Sequence, residues 1–191
     1  MRNADLFDVT ARAERLIAAV PDALSPAECA RLIREAEAVG FDEAPITVGP
    51  NTFLMATEVR NNTRVMRDDP ALAALLWERV AAALPPTLPG GWSAIGLNER
   101  LRWYRYEPGQ YFRWHHDGAY FANAARRSFF TVMFYLNDDF TGGVTEFDDG
   151  TVITPRRGDA LLFWHPLRHQ GATVRTGVKH VLRTDAMYRR A

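Results

Sequence analysis

Apolar residues recur at helical spacing in two stretches of the chain. In the first, Leu32, Ile33, Ala36 and Val39 share one face, and the stretch opens with Ser25-Pro26-Ala27-Glu28. A serine cap, a proline in the first turn and a glutamate three residues after the cap mark a helix start, and Gly40 supplies the stop. In the second, Asp69-Pro70 precedes Leu72, Leu75, Leu76, Trp77 and Val80, and Pro85, Pro86 and Pro89-Gly90-Gly91 close it as a linker. Short strands are expected at Glu14 to Val20 and Thr52 to Val59. After Gly91 the helical period disappears. Runs such as LRWYRYE, QYFRWH, SFFTVMFYLN, DALLFW and VKHVLRTDAMY alternate with turn signals at Pro108-Gly109, Thr141-Gly142-Gly143, Asp148-Asp149-Gly150 and Arg157-Gly158. Many short strands with regular turns predict a sandwich or barrel. Phe129 to Leu136 is apolar on both faces, as a central strand covered on each side would be. The expected class is α+β within one domain spanning 1–191: a helical N-terminal part, 1–91, packed against a β-rich part, 92–191.

Composition narrows the function. Hydrophobic residues make up 47% and aromatics 12% of the 191 residues, enough for a packed core and against general disorder. Lys plus Arg and Asp plus Glu both number 23, so there is no broad basic footprint and no nucleic-acid partner is expected. The locally basic tail (Arg175, Lys179, Arg183, Arg189, Arg190) reads as a solvated face. The first residues carry acids and no long apolar run, so neither a signal peptide nor a membrane partner is expected, and the cytoplasm is the expected compartment. Cys29 is the only cysteine, which excludes an internal disulfide and a cysteine-built zinc site. A metal here must use His, Asp and Glu.

The sequence YFRWHHDGAY offers His115, His116 and Asp117. Side chains alternate along a strand, so His115 and Asp117 point one way and His116 the other. The remaining histidines are His165, His169 and His180, and His169 opens the strand-like run HQGATV. Two imidazoles and one carboxylate make a facial triad that leaves positions open, suited to non-haem Fe(II) with a cosubstrate and O2. His-x-Asp alone is a weak signal. Lys179, the only lysine, stands ten residues after His169. On the next antiparallel strand it can reach the same cavity and suit the far carboxylate of a dicarboxylic acid. An inward lysine without a partner is costly, so it implies an anion.

From about Leu101 to Tyr188 the chain resembles the Fe(II)- and 2-oxoglutarate-dependent dioxygenases, in their prolyl 4-hydroxylase-like branch. Tyr106-Glu107-Pro108-Gly109-Gln110 followed by His115-x-Asp117 is similar to the family's first two metal ligands. VMFYLNDDFTGG is similar to its central strand and Gly-Gly turn, and GDALLFWHPLRHQGATVRTGVK to its last motif. LSPAECARLIREAEAVGF is similar to the helix before its core. The resemblance implies a double-stranded β-helix (jelly roll) with N-terminal helices packed against it. It implies His115, Asp117 and His169 as iron ligands, with His116 unliganded. Lys179 would bind the 5-carboxylate of 2-oxoglutarate with Tyr135, and Tyr106 would face the cosubstrate. The implied cofactors are Fe(II), 2-oxoglutarate and O2, with ascorbate as a further reductant. The implied reaction is hydroxylation of an unactivated C–H bond with release of succinate and CO2. Val144-Thr145 follows the glycines where the family commonly has an acid, which bears on substrate details. Asp117 is present where the family's halogenases have a small residue, which points to a hydroxylase.

Several residues carry open readings. The polar stretch Arg60 to Arg64 reads as a loop whose Asn62 and Arg64 face the iron and contact substrate, or as a solvated turn. Arg183, four residues past Lys179 on the same strand face, binds a substrate carboxylate or pairs with Asp185. Trp164 lines the pocket or packs in the core. His165 and His180 read as ordinary surface or strand-face histidines. Iron affinity is expected to fall in mild acid as ligands protonate. The rivals are a non-catalytic or sensing member of the same fold and a zinc-type hydrolase using the triad. A prolyl residue in a peptide, a free amino acid and a small metabolite all fit as substrate, and oligomeric state is not legible.

Overall fold

Two long antiparallel strands, Arg126–Tyr135 and Lys179–Arg190, form the spine of the molecule, in register from Arg126↔Arg189 to Tyr135↔Val181. In the computed structural model, which describes residues 12–49 and 52–190, they lie in the middle of a ten-stranded sheet. Its main path runs Ile17–Val20, Ala160–Trp164, Arg126–Tyr135, Lys179–Arg190, Arg100–Tyr106, Thr63–Asp68, Asp42–Glu43, and Trp92–Leu97 pairs with the far end of Lys179–Arg190. A four-stranded sheet, ordered Val152–Ile153, Thr145–Phe147, His169–Gly171, Phe112–His115, completes the double-stranded β-helix. Phe147 of the small sheet meets Phe163 of the large one edge to face, ring centroids 5.2 Å apart.

Alternation along the central strands makes two cores. Val132, Phe134, Leu162 and Leu182 point to one side, with Leu101 and Trp103, and pack against Leu32, Leu76 and Val80 of the helices. Tyr135, Leu161, Phe163 and Val181 point to the other, with Tyr104, Tyr106 and Phe147. The two-faced apolar run around Phe129 to Leu136 is thus covered on each side, as its pattern predicts.

The helices begin where the caps place them. The first spans Pro26–Val39; the Glu28 N–H donates to Ser25 Oγ at 3.2 Å and the Ser25 N–H to Glu28 Oε2 at 2.7 Å, a reciprocal capping box. The second spans Pro70–Val80, capped by Asp69 Oδ1, which accepts from the Leu72 N–H at 2.9 Å. Among the described residues no helix is long and apolar enough to cross a membrane.

The N-terminal part is less helical than expected. Asp42–Glu43 and Thr63–Asp68 join the large sheet, as does Ile17–Val20, which lies within the strand expected at Glu14 to Val20. Thr63–Asp68 reads as polar because it lies near the sheet's edge with only Val65 buried, so alternation is nearly silent there. Thr63 and Arg64 belong to this strand rather than to a loop, and the strand expected from Thr52 to Val59 is Thr52–Leu54.

Gly158 joins the two halves of the scaffold. Its N–H donates to Tyr135 O at 2.8 Å and its carbonyl accepts from the Leu24 N–H at 2.9 Å. Its φ is +92°, and a Cβ would collide with the Leu24 carbonyl. Gly158→Ala should therefore cost ~3 kcal/mol from backbone strain plus steric displacement. Urea unfolding checks this, and a wild-type midpoint would contradict it.

Candidate functional site

His169 and His115 face each other on adjacent strands of the small sheet, their rings 4.2 Å apart. The strand carrying His115 ends there, and the Asp117 N–H donates to His165 O at 3.0 Å. Asp117 Oδ1 lies 3.7 Å from His115 Nε2, and Oδ2 lies 3.7 Å from His169 Nε2. The three side chains each offer a ligand atom, all within 4.8 Å of one another. His115 Nδ1 contacts Arg113 O at 2.7 Å, and His169 Nδ1 contacts Leu167 O at 2.9 Å. A carbonyl only accepts, so each Nδ1 carries the proton and each Nε2 presents a lone pair toward the carboxylate. Aimed, deprotonated donors with their outer nitrogens fixed are what a metal site requires, and this donor set fits Fe(II). His116 takes no part: it is exposed, with Nδ1 2.7 Å from Pro166 O.

Asp117 is held from behind by a hydrogen-bonded chain whose direction is determined. Thr131 Oγ1 donates to Asp117 Oδ2 at 2.5 Å. Its single proton is then committed, so the contact with His165 Nδ1 at 2.9 Å must be donated by the histidine. His165 Nε2 therefore accepts from Ser128 Oγ at 2.8 Å, and Ser128 Oγ accepts from the Tyr120 N–H at 2.8 Å. His165 is 2% exposed and not the surface histidine expected. It follows the buried strand Ala160–Trp164, and its N–H donates to Phe129 O at 3.0 Å. The signal for it was the pair of hydroxyls, Ser128 and Thr131, inside an otherwise apolar strand, since buried hydroxyls need partners.

Burial sets the proton affinities. It pushes His115 down to about 3, His165 down to about 4, and His169 below its usual value. Burial alone would raise the Asp117 carboxyl, but the Arg183 guanidinium, with Nη2 3.1 Å from Oδ2, and the neighbouring histidines hold it well below the carboxylate range. With His115 held at about 3 and His169 below its usual value, the loss of metal affinity expected in mild acid shifts to lower pH.

The large sheet forms the opposite wall. Tyr104, Tyr106, Met133, Lys179, Val181 and Arg183 line one cavity with the triad. Lys179 is 3% exposed; its Nζ donates to Gly143 O at 2.6 Å and lies 5.4 Å and 5.5 Å from the ring centres of Tyr106 and Tyr135. Burial lowers its amine to about 7. The Tyr135 hydroxyl is 2.8 Å from Thr145 Oγ1. Of the basic tail, Lys179 and Arg183 turn inward, while Arg175, Arg189 and Arg190 are exposed.

Asn62, Arg64 and Trp164 are not among the cavity's lining residues. Asn62 is buried and its Oδ1 accepts from Arg60 Nε at 2.6 Å. Arg64 pairs across the sheet with Tyr104, and Trp164 packs on Phe129 and Phe130 on the helix side. His180, on the face opposite Lys179, is 3.0 Å from Glu37 Oε1. Arg60, the first residue of the stretch expected to be a loop, is 4% exposed, with its guanidinium over the Tyr104 and Phe112 rings at 4.4 Å and 4.6 Å.

Residues 101–184 match the family model described as the 2OG-Fe(II) oxygenase superfamily. Prolyl 4-hydroxylase 1 of Arabidopsis thaliana is 34% identical over 85 residues, covering 35% of this chain and 29% of that protein. Alignments with the curated relatives span between 29% and 42% of those relatives' own length. A Pseudomonas putida prolyl-4-hydroxylase structure superposes with a TM-score of 0.66 at 17% identity, covering 97% of this chain and 99% of that one. The viral collagen prolyl hydroxylase of Paramecium bursaria Chlorella virus-1, solved as a 2OG complex, gives 0.63 at 20%, covering 91% and 96%. The two structures establish the likeness of fold.

Two outcomes follow from this geometry. Anaerobic Fe(II) affinity should stay nearly flat between about pH 7.5 and 6.5, because His115 is already neutral and His169 titrates below the ordinary imidazole value; a tenfold loss in that window would contradict it. His165→Phe, which leaves Thr131 Oγ1 without its donor, should weaken Fe(II) binding about ten- to a hundredfold in the same titration.

Proposed function

We propose that this chain, a prolyl 4-hydroxylase-like 2OG-Fe(II) oxygenase, hydroxylates an unactivated C–H bond of a small molecule, amino acid or peptidyl residue. The balanced reaction is R–H + O2 + 2-oxoglutarate → R–OH + succinate + CO2. The observation that carries this reading is the convergence of two imidazole lone pairs and one carboxylate in a cavity that also holds a buried lysine with no ion pair among the described residues. His115, Asp117 and His169 hold Fe(II), which supplies the redox chemistry with O2. Lys179 receives the 5-carboxylate of 2-oxoglutarate, with the Tyr106 and Tyr135 rings bracketing its amine. When Thr145 Oγ1 donates to Tyr135 Oη, the phenol proton is free to point at the same carboxylate. Thr131 and Arg183 keep Asp117 ionised and oriented. Phe112, Met133 and Val181 give the cavity apolar walls that keep water from the reacting centre.

Lys179 also sets a pH dependence. Its amine faces two phenol rings and the Gly143 carbonyl. Burial raises both phenols, Tyr106 to about 12, so neither supplies a negative charge near neutrality. With the amine at about 7 in the free protein, the cation is present below that pH and lost above it. Affinity for 2-oxoglutarate should therefore fall by up to about tenfold per pH unit above 7.

The test is an anaerobic titration with Fe(II) and 2-oxoglutarate, following the visible charge-transfer band of the chelated cosubstrate. The band should form in the wild type and vanish in His169→Ala. Lys179→Met should require at least about a hundredfold more 2-oxoglutarate, since a charged carboxylate loses its only strong partner. The same variant should be more stable to urea by ~2 kcal/mol, because a buried amine without a counter-ion opposes folding. Failure of the wild type to bind Fe(II) or to form the band would overturn the assignment.

A further inference from the structure

The small-molecule, amino-acid and peptidyl substrates left open above place different demands on the charges around the cavity. Lys179, Val181 and Arg183 sit at two-residue steps on one strand face, and all three line the cavity. One wall thus carries two cations, about 13 Å apart along the strand. The proposed function occupies Lys179 with the cosubstrate. It leaves Arg183 only with carboxylates that it shares, Asp117 of the triad at 3.1 Å and Asp185 at 3.4 Å.

The carboxylates in reach are already claimed. Asp117 is the carboxylate of the triad, and a dication bound there takes most of its negative charge. Asp185, 2% exposed, pairs through Oδ2 with Arg102 Nη1 at 3.2 Å and meets Arg183 Nη2 only at 3.4 Å. The shortest contact of Arg183 is Nη2 to Asp117 Oδ2 at 3.1 Å; the others are long, 3.5 Å from Nη1 to Tyr104 Oη and 3.5 Å from Nη2 to Thr131 Oγ1. Its Nε is buried with no partner, as is Nη2 of Arg60, which lies across the Tyr104 ring. Arg60 forms no ion pair among the described residues. A lysine escapes such a setting by losing its proton; a guanidinium cannot. Three guanidiniums (Arg60, Arg102, Arg183) stand near Tyr104 against two carboxylates, Asp185, which Arg102 and Arg183 share, and Asp117, which a metal would share with Arg183. Buried charge in surplus is stable only when a ligand of opposite sign completes it.

Resting on the proposed function, we infer that the substrate bears a carboxylate, received by Arg183 and Tyr104 beside the metal triad. The planar fork of Arg183 matches a carboxylate, and the Tyr104 hydroxyl supplies a second donor on the same wall. A free or N-acylated amino acid satisfies this requirement. An internal prolyl residue of a peptide, with neutral amides on both sides, adds no negative charge to this cluster and leaves Arg183 Nε without a partner.

The test measures succinate formation by the Fe(II)-loaded protein with 2-oxoglutarate and a panel of free and N-acetylated amino acids, each beside its primary amide. At least one acid should stimulate turnover, and its amide should do so about tenfold less or worse, as a site built for a polar partner rejects the analogue lacking it. In Arg183→Gln the acid-to-amide ratio should collapse toward one, and Arg183→Lys should keep part of it. Because the ratio is read within each protein, a general loss from disturbing Asp117 does not imitate the effect, and the wild-type ratio stands if a variant fails to fold. Amides matching their acids, a capped proline peptide surpassing every acid, acids that only compete with 2-oxoglutarate, or a ratio preserved in Arg183→Gln would each overturn the inference. An intact wild-type charge-transfer band with no acid preference overturns this inference alone; absence of the band overturns the function beneath it as well.

Discussion

A strand buried on both faces cannot slip by one residue without exchanging its two sets of side chains. Arg126–Tyr135 and Lys179–Arg190 are both in this position. Leu182 and Val132 must face the helices, and this requires Val181, Lys179 and Arg183 to face the cavity. The helix-side core, far from any chemistry, therefore fixes which cations meet the triad. The capped helices contribute to the site in the same indirect way, because the apolar face they present holds the sheet in its register.

On the other side of that sheet the difficulty is electrostatic. Burial opposes every charge the cavity contains, and each group meets this differently. The ligand histidines stay neutral, Asp117 stays ionised because Arg183 and Thr131 compensate for its lost water, and Lys179 sits close to giving up its proton. The arginines have no such option. The site is thus poised between polar groups that are fully satisfied, as around Asp117, and cations that are not, as at Arg183 Nε and Arg60 Nη2. That contrast separates the part of the cavity that is structurally complete from the part shaped for something the chain does not itself supply.

Much of this was legible in the sequence, for reasons that differ by residue. His115 and Asp117 follow from strand alternation. His169 and Lys179 needed the family resemblance to single them out, although a lone lysine in an arginine-rich chain was already suggestive. The cadence of strands and turns gave a sandwich or barrel, and the family resemblance was needed to make it a jelly roll. Thr63–Asp68 was not, because a strand with a single buried side chain leaves almost no periodic trace. The buried positions of His165 and Arg60 were not legible because they come from contacts across 34 and 52 positions of sequence, with Thr131 and Phe112 respectively, and no local pattern encodes such a distance. Asn62, read as a substrate contact, instead accepts a bond from Arg60.

The chain of hydrogen bonds behind Asp117 begins at a backbone N–H, which can only give, and ends at a carboxylate, which can only take. Neither end can trade roles, so every rotor and tautomer between them has one allowed setting. The third ligand is consequently preorganised: its orientation and ionisation are decided when the chain folds. A metal held there would meet a finished binding surface and lose little affinity to the entropy of assembling it.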